Sequence, residues 1–318
     1  MRSKALLMAL VISLFSSSTP AIASEPKVAV AYDIGFLGDN SFNDAVHVAL
    51  KAAKNKYGLV EPFVREVPTN GTAVDRLTRL RFLAKSGYTL IIAVGPGYRE
   101  TVARVSKEYT ETQFAIINDK SIPQLNVSNI HFREDHGAYL AGVAAANLSK
   151  RKSIAFIGSE PELFASFYQG AQANFPKVKI KNISYPDTIE ALRSQLNGID
   201  IAYSTWDGDP SVMTVISESF AGKIRLIAET PDQYFAQLLQ SKAIVVAMVS
   251  KQLTKPIAQL VSAALESRAV IDVIDEAEGI YGREYGAANG GVGITFNVPT
   301  GNTLKSAIKR ALLQLKRG

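Results

Sequence analysis

Short, unbroken apolar runs recur along this chain, separated by stretches of helix length, and that rhythm constrains the fold more than any other feature. The runs occupy residues 28–32, 90–94, 114–117, 154–157, 199–203, 226–228 and 244–248, each bounded by Gly, Asp, Asn or Ser. A strand with one wet face alternates apolar and polar residues. A run that is apolar throughout is buried on both faces, which is the pattern of a parallel sheet covered by helices. Between the runs, residues 42–57, 74–85, 100–109, 137–149, 163–175 and 251–268 place apolar side chains at helical spacing. Repeated strand–helix units predict an α/β doubly wound architecture. With roughly ten strands to house, two Rossmann-like lobes fit a chain of 318 residues better than one sheet. The chain is expected to cross between them near residues 132–137, 248–251 and 279–282. That divides it into a leader at 1–23, a first lobe from 24–134 and 250–280, and a second from 135–249 and 281–318.

Composition removes several classes of function. There is no Cys, which excludes a disulfide scaffold, a thiolate zinc site, an iron–sulfur cluster and a cysteine nucleophile. Only three His are present, at 47, 131 and 136, too few for a histidine metal cage. The net charge of +6 is spread along the chain without a dense basic run, so no nucleic-acid partner is expected. Arg2 and Lys4 precede a short apolar run that ends in small residues around Ala21 and Ala23. This is the pattern of a secretory signal peptide cleaved after Ala23, and it predicts export. The run is short for a permanent membrane span.

In open α/β sheets, ligands sit beyond the carboxyl ends of the strands, so the residues that follow each strand carry the functional signal. The most specific string follows the first strand: Asp33-Ile-Gly-Phe-Leu-Gly-Asp39-Asn-Ser-Phe42-Asn43. It is neither a dinucleotide-binding nor a Walker loop, so no phosphate cradle is indicated. With Asp33, Gly35, Asp39 and Ser41-Phe42-Asn43 in order, it resembles the opening motif of the basic membrane protein, or PnrA-like, family. Members of that family are substrate-binding proteins of ABC importers for purine nucleosides. Further likenesses follow: Phe114-Ala-Ile-Ile117, Gly137-Ala-Tyr-Leu-Ala-Gly142-Val-Ala-Ala145, Gly158, Phe167-x-x-Gly170, Asp232-Gln233, Lys251 and Gly291-x-Gly293.

The resemblance implies a type I periplasmic-binding-protein fold, two parallel-sheet lobes joined by a multi-strand hinge. It also implies that Phe42 stacks on a purine base, with Asn43 bonding nearby and Asp33 lining the same mouth. By itself, Phe42 reads first as a core residue on the inner face of a helix, and the surrounding motif reverses that order. After the fourth strand the family carries Ile-Asp, where an acid reads the base edge. Here Ile117-Asn118-Asp119 leaves two alternatives, Asn118 in place of the acid or Asp119 displaced by one position. Asp232 matches an acid near the ribose and Lys251 a lysine facing the sugar; helix capping and a solvated helix start are their ordinary alternatives. Gly95, in Gly95-Pro-Gly97, turns towards the cleft and is a weaker contact candidate. The family's glycine-rich loop in the second lobe is replaced by Ser204-Thr-Trp206-Asp-Gly208-Asp209. Trp206 is either a second stacking wall opposite Phe42 or a packing residue. Glu134-Asp135-His136 precedes the crossing helix and reads as a cap or hinge.

The resulting expectation is non-catalytic. The chain is read as an extracytoplasmic monomer that captures a nucleoside without cofactor or metal and delivers it to an ABC permease. Relatives are commonly anchored through a lipobox cysteine, which this sequence lacks, so no lipoprotein is expected. A sensor of the same fold and a nucleoside hydrolase are the alternatives; Asp33, Asp39 and Asp119 are too dispersed for a metal-assisted hydrolase. Because Trp206 is the single tryptophan, saturating nucleoside is expected to quench or shift its fluorescence. An unchanged emission spectrum at saturation removes it from the site.

Overall fold

The computed structural model describes residues 26–184, 188–205, 211–233 and 243–316. The leader expected at 1–23 and Trp206 lie outside these residues. Thirteen strands form two sheets among the described residues. The first sheet contains β1 (Val28–Ala31), β2 (Val64–Val67), β3 (Leu90–Val94), β4 (Gln113–Ile117) and β5 (Val127–Phe132). The second contains β6 (Ser153–Ile157), β7 (Lys179–Ile183), β8 (Ile201–Ser204), β9 (Arg225–Thr230) and β10 (Val245–Lys251). The chain then returns with β11 (Asp272–Asp275) and β12 (Ile280–Tyr285) to the first sheet, and ends with β13 (Val292–Phe296) in the second. The orders are β11-β12-β5-β4-β3-β1-β2 and β13-β10-β9-β8-β6-β7. Every pairing is parallel except β11 with β12 and β13 with β10. This is the two-lobed α/β architecture that the apolar runs predict.

Because β12 pairs with β5, the third passage between the sheets follows Tyr285 rather than residues 279–282. The strands that apolar runs do not announce are mostly marginal ones. β7 reads Lys-Ile-Lys-Asn-Ile, is exposed over most of its length and lies at a sheet edge. Edge strands carry charge because nothing covers one side of them. β5 carries buried Ser128 and Asn129, whose side chains bond the Val270, Ile122 and Tyr281 carbonyls and so satisfy their polar groups inside the protein.

Helices cover both sheets. α1 (Phe42–Tyr57), α2 (Ala73–Lys85) and α3 (Arg99–Glu108) follow β1, β2 and β3. α1 ends at Gly58, left-handed at φ 67°, whose N–H reaches back to the Lys54 carbonyl. α2 starts where the Thr72 hydroxyl accepts from the Asp75 N–H at 3.2 Å. α4 (Glu134–Leu148) crosses to the second lobe, where α5 (Pro161–Gln172), α6 (Ile189–Gln195) and α7 (Ser211–Ser219) follow. α8 (Thr254–Leu265) returns to pack on α1, and α9 (Asn302–Leu315) closes the chain against α4.

The amphipathic face expected of α4 is absent, for every residue from His136 to Ala146 is buried. The helix is enclosed by α5, α9 and the second sheet, so it has no wet face to keep polar. Its contact with α5 is made backbone to backbone. A Cβ built on Gly142 would lie 2.0 Å from the Phe167 carbonyl oxygen, and one on Gly170 would lie 2.1 Å from that of Tyr139. Only hydrogen fits at either position, which gives the Gly142 and Phe167-x-x-Gly170 strings a packing reason. Gly170→Ala is expected to cost about 2–3 kcal/mol through overpacking and to lower the melting temperature by several degrees. An unchanged melting temperature would mean that the two helices do not meet this closely.

Candidate functional site

The carboxyl ends of β1, β3, β4, β9 and β10 converge with the start of α4, and the candidate residues lie at these ends. The loop after β1 is built by two carboxylates. Asp39 accepts from the N–H groups of Ser41, Asn43 and Asp44 at 2.9, 3.2 and 3.1 Å, which caps α1. Asp44 accepts from Gly38 and Asn40, both at 2.8 Å. The Asn43 side chain, buried, donates to the Asp33 and Ile34 carbonyls at 3.3 and 3.2 Å. Its amide therefore shapes the loop. Ser41, released from capping, donates its hydroxyl to the Pro231 carbonyl of the other lobe at 2.7 Å.

Two of the first-lobe acids are neutralised locally. Asp33 Oδ1 accepts from Arg76 Nε at 3.1 Å and from Arg76 Nη2, and the guanidinium also lies 5.5 Å from the Tyr98 ring centroid. Gly95, at φ 91°, and Gly97 bring the loop after β3 against this carboxylate; a Cβ on Gly97 would lie 2.3 Å from Asp33 Oδ2. Asp119 has no exposed side-chain surface; it accepts from Arg99 Nε at 2.6 Å and from the Ser121 N–H and hydroxyl at 2.8 and 2.6 Å. Asn118 differs. Held at φ 62°, it directs Nδ2 to Glu134 Oε1 at 3.4 Å, towards the ends of the other strands.

Lys251 is the centre of the site. Its side chain is 5% exposed, at the end of β10, and Nζ bonds Asp232 Oδ1 at 2.5 Å and Glu134 Oε1 at 2.6 Å. The same ammonium lies 5.5 Å from the centroid of the Phe42 ring, within cation–π range. One lysine thus ties the loop after β9, the crossing helix and the first turn of α1. Burial opposes its charge, but the Asp232, Glu134 and Glu229 carboxylates outweigh burial and hold Lys251 well above its ordinary pKa. Asp232 is buried and its second oxygen, Oδ2, meets no donor among the described residues. An unpartnered buried carboxylate oxygen is costly, and a ligand hydroxyl would relieve it. A pocket of about 350 Å³ opens beside this cluster, lined among others by Ser41, Thr230, Pro231, Lys251 and Leu253. A larger apolar opening of about 440 Å³ against α9 shares no residue with it.

The sequence reading of Glu134 as a cap or hinge missed its place on Lys251. Glu229 was also passed over. It is buried, receives the Tyr203 hydroxyl, and is pushed up to about 8 chiefly by burial, with the Asp232 charge adding and Lys251 opposing. Glu134 sits in no motif and becomes visible only when β10 is laid beside it, whereas Glu229 opens the string that ends in Asp232-Gln233, where Asp232 is the better match to the family acid.

Residues 26–191 match the family model described as ABC transporter substrate-binding protein PnrA-like. The chain belongs to this family. Basic membrane protein A1 of Borrelia garinii is 33% identical over 169 residues, 51% of this chain and 48% of that protein. The ABC transporter nucleoside-binding protein BmpA of Lactococcus lactis is 26% identical over 165 residues, 52% and 47% of the two chains. The chain spans about half the length of these curated PnrA-like relatives. Among solved structures, a solute-binding protein of an ABC transporter system from Conexibacter woesei aligns with a TM-score of 0.69 at 19% identity, covering 92% of this chain and 97% of its own. A transcriptional activator of the comK gene from Bacillus halodurans aligns with a TM-score of 0.71 at 15% identity, covering 92% and 98%. These likenesses show the fold, that of type I periplasmic-binding proteins, as the PnrA-like resemblance implied.

The elevated Glu229 makes a signed prediction. Unfolded, the group loses its proton near 4.5; folded, near 8. Between those values the folded chain holds a proton that the unfolded chain has released, so stability falls as pH rises through the window. Glu229→Gln is expected to flatten the decline of melting temperature from about pH 5 to 8. Parallel profiles for the two proteins would remove Glu229 as its source.

Proposed function

We propose that this PnrA-like chain is exported and binds a neutral purine nucleoside between its lobes for delivery to an ABC permease in the membrane, without catalysing a reaction. The observation that carries the reading is Lys251, held by Asp232 beside the Phe42 ring while Asp232 Oδ2 stays buried and without a partner among the described residues. A ribose hydroxyl donating to that oxygen would replace an unmet hydrogen bond with a charge-assisted one. A flat heterocycle on the Phe42 ring would gain about 1–3 kcal/mol from stacking. Lys251 faces two carboxylates, Asp232 and Glu134, so the local balance is acidic. A donor-rich neutral ligand suits that balance, and a phosphate does not. Lobe closure around the ligand excludes water, which strengthens each of these contacts.

Asn118, turned towards Glu134, is the better candidate than Asp119 for the base, because the Asp119 oxygens are already engaged by Arg99 and Ser121. In a thermal-shift series, purine nucleosides should raise the melting temperature by linkage, while nucleoside monophosphates and free amino acids should leave it unchanged. Asp232→Asn and Phe42→Ala are each expected to weaken nucleoside binding about tenfold or more. Incubation with inosine should release no free base. A shift produced only by sugars or amino acids, or full affinity in both variants, would overturn the nucleoside reading.

A further inference from the structure

The position after β4 that the family resemblance fills with an acid holds an amide here, Asn118. The structure supplies a carboxylate at that place from another element. Glu134 is the first residue of α4, and its Oε1 receives both Asn118 Nδ2 at 3.4 Å and Lys251 Nζ at 2.6 Å. Each approaches the same oxygen, Oε1. The side chain is about one-third exposed, whereas the Asp119 side chain, the other acid near this strand end, has no exposed surface. Burial pushes the Glu134 carboxyl up, but Lys251 and the Asn118 amide outweigh it and keep the group ionised well into the acid range.

We propose that Glu134 is the base-specificity residue of this chain, a carboxylate donated by the crossing helix in place of an acid after β4, and that it selects bases presenting a ring N1–H donor, the 6-oxopurines. The inference rests on the nucleoside reading above. An ionised carboxylate only accepts hydrogen bonds. A 6-oxopurine offers it the N1–H, and guanine adds the 2-amino group beside it as a second donor on the same edge. Adenine turns an acceptor, N1, to the same edge, and two acceptors facing each other across a dry contact repel. A site built to receive an N–H rejects the analogue that lacks it, because its buried polar group is left unmet. The amide of Asn118, anchored on Oε1, fixes the direction of the carboxylate.

The test is calorimetric titration of the full chain with guanosine and with adenosine. Wild type should bind guanosine at least about tenfold more tightly than adenosine. Glu134→Gln, which can turn a donor to the base, should lose most of that ratio, and the double variant Asn118→Asp/Glu134→Gln should recover it. Equal weakening of both nucleosides in Glu134→Gln would mean that the residue only balances the Lys251 charge. An unchanged ratio, or a wild type that prefers adenosine, would also overturn the inference while leaving nucleoside binding intact. A wild type that binds neither nucleoside would instead remove the reading beneath it. Melting temperatures of each variant separate misfolding from altered choice, and the double variant restores the charge count if the single one is unstable.

Discussion

A single buried ammonium organises the cleft. Lys251 is removed from water almost completely, and an isolated charge in that position would be expensive to keep. It is tolerated because Asp232 and Glu134 approach its ammonium at 2.5 and 2.6 Å. The elements that carry these groups are far apart in the chain: β10, the loop after β9 and the first turn of α4. The ion pairs therefore act less as a general source of stability than as a register mark. They fix which strand ends meet, and they set the position of the Phe42 ring beside the cation.

The surrounding acids fall into two electrical classes. Asp33 and Asp119 are each matched by an arginine, Arg76 and Arg99, and Asp39 and Asp44 are consumed by backbone donors of the first loop. These groups build the rim and carry little unmet demand. Around Lys251 the balance is different, because two carboxylates share one cation and one carboxylate oxygen has no partner among the described residues. Unmet polar demand of this cluster therefore lies at the junction of the lobes, next to an aromatic ring.

Much of the architecture was legible in the sequence because burial on both faces writes itself as unbroken apolar runs. β1, β3, β4, β6, β8, β9 and β10 all stand on such runs, and α1 spans the residues its periodicity marks. The strands that escaped notice are those whose surroundings are asymmetric or polar. β7 at an edge reads as charged, and β5 hides Asn129 behind hydrogen bonds that no local pattern announces. The candidate site was nameable where a string after a strand carries it, as with Asp33, Phe42 and Lys251. It was illegible where a side chain matters through a partner on the other lobe: Glu134 looked like a helix start until β10 was laid beside it. Asn118 and Asp119 were indistinguishable in sequence, and the left-handed backbone at Asn118 separates their directions.

The glycine contact between α4 and α5 bears on how the cleft could open. Two helices whose backbones touch cannot slide or tilt against each other without breaking van der Waals contact along their length, so the pair moves as one stiff lever fixed to the second sheet. Glu134 sits at the tip of that lever. Rotation of the lobe would swing its carboxylate away from Asn118, and the contact between the two would be among the first to part.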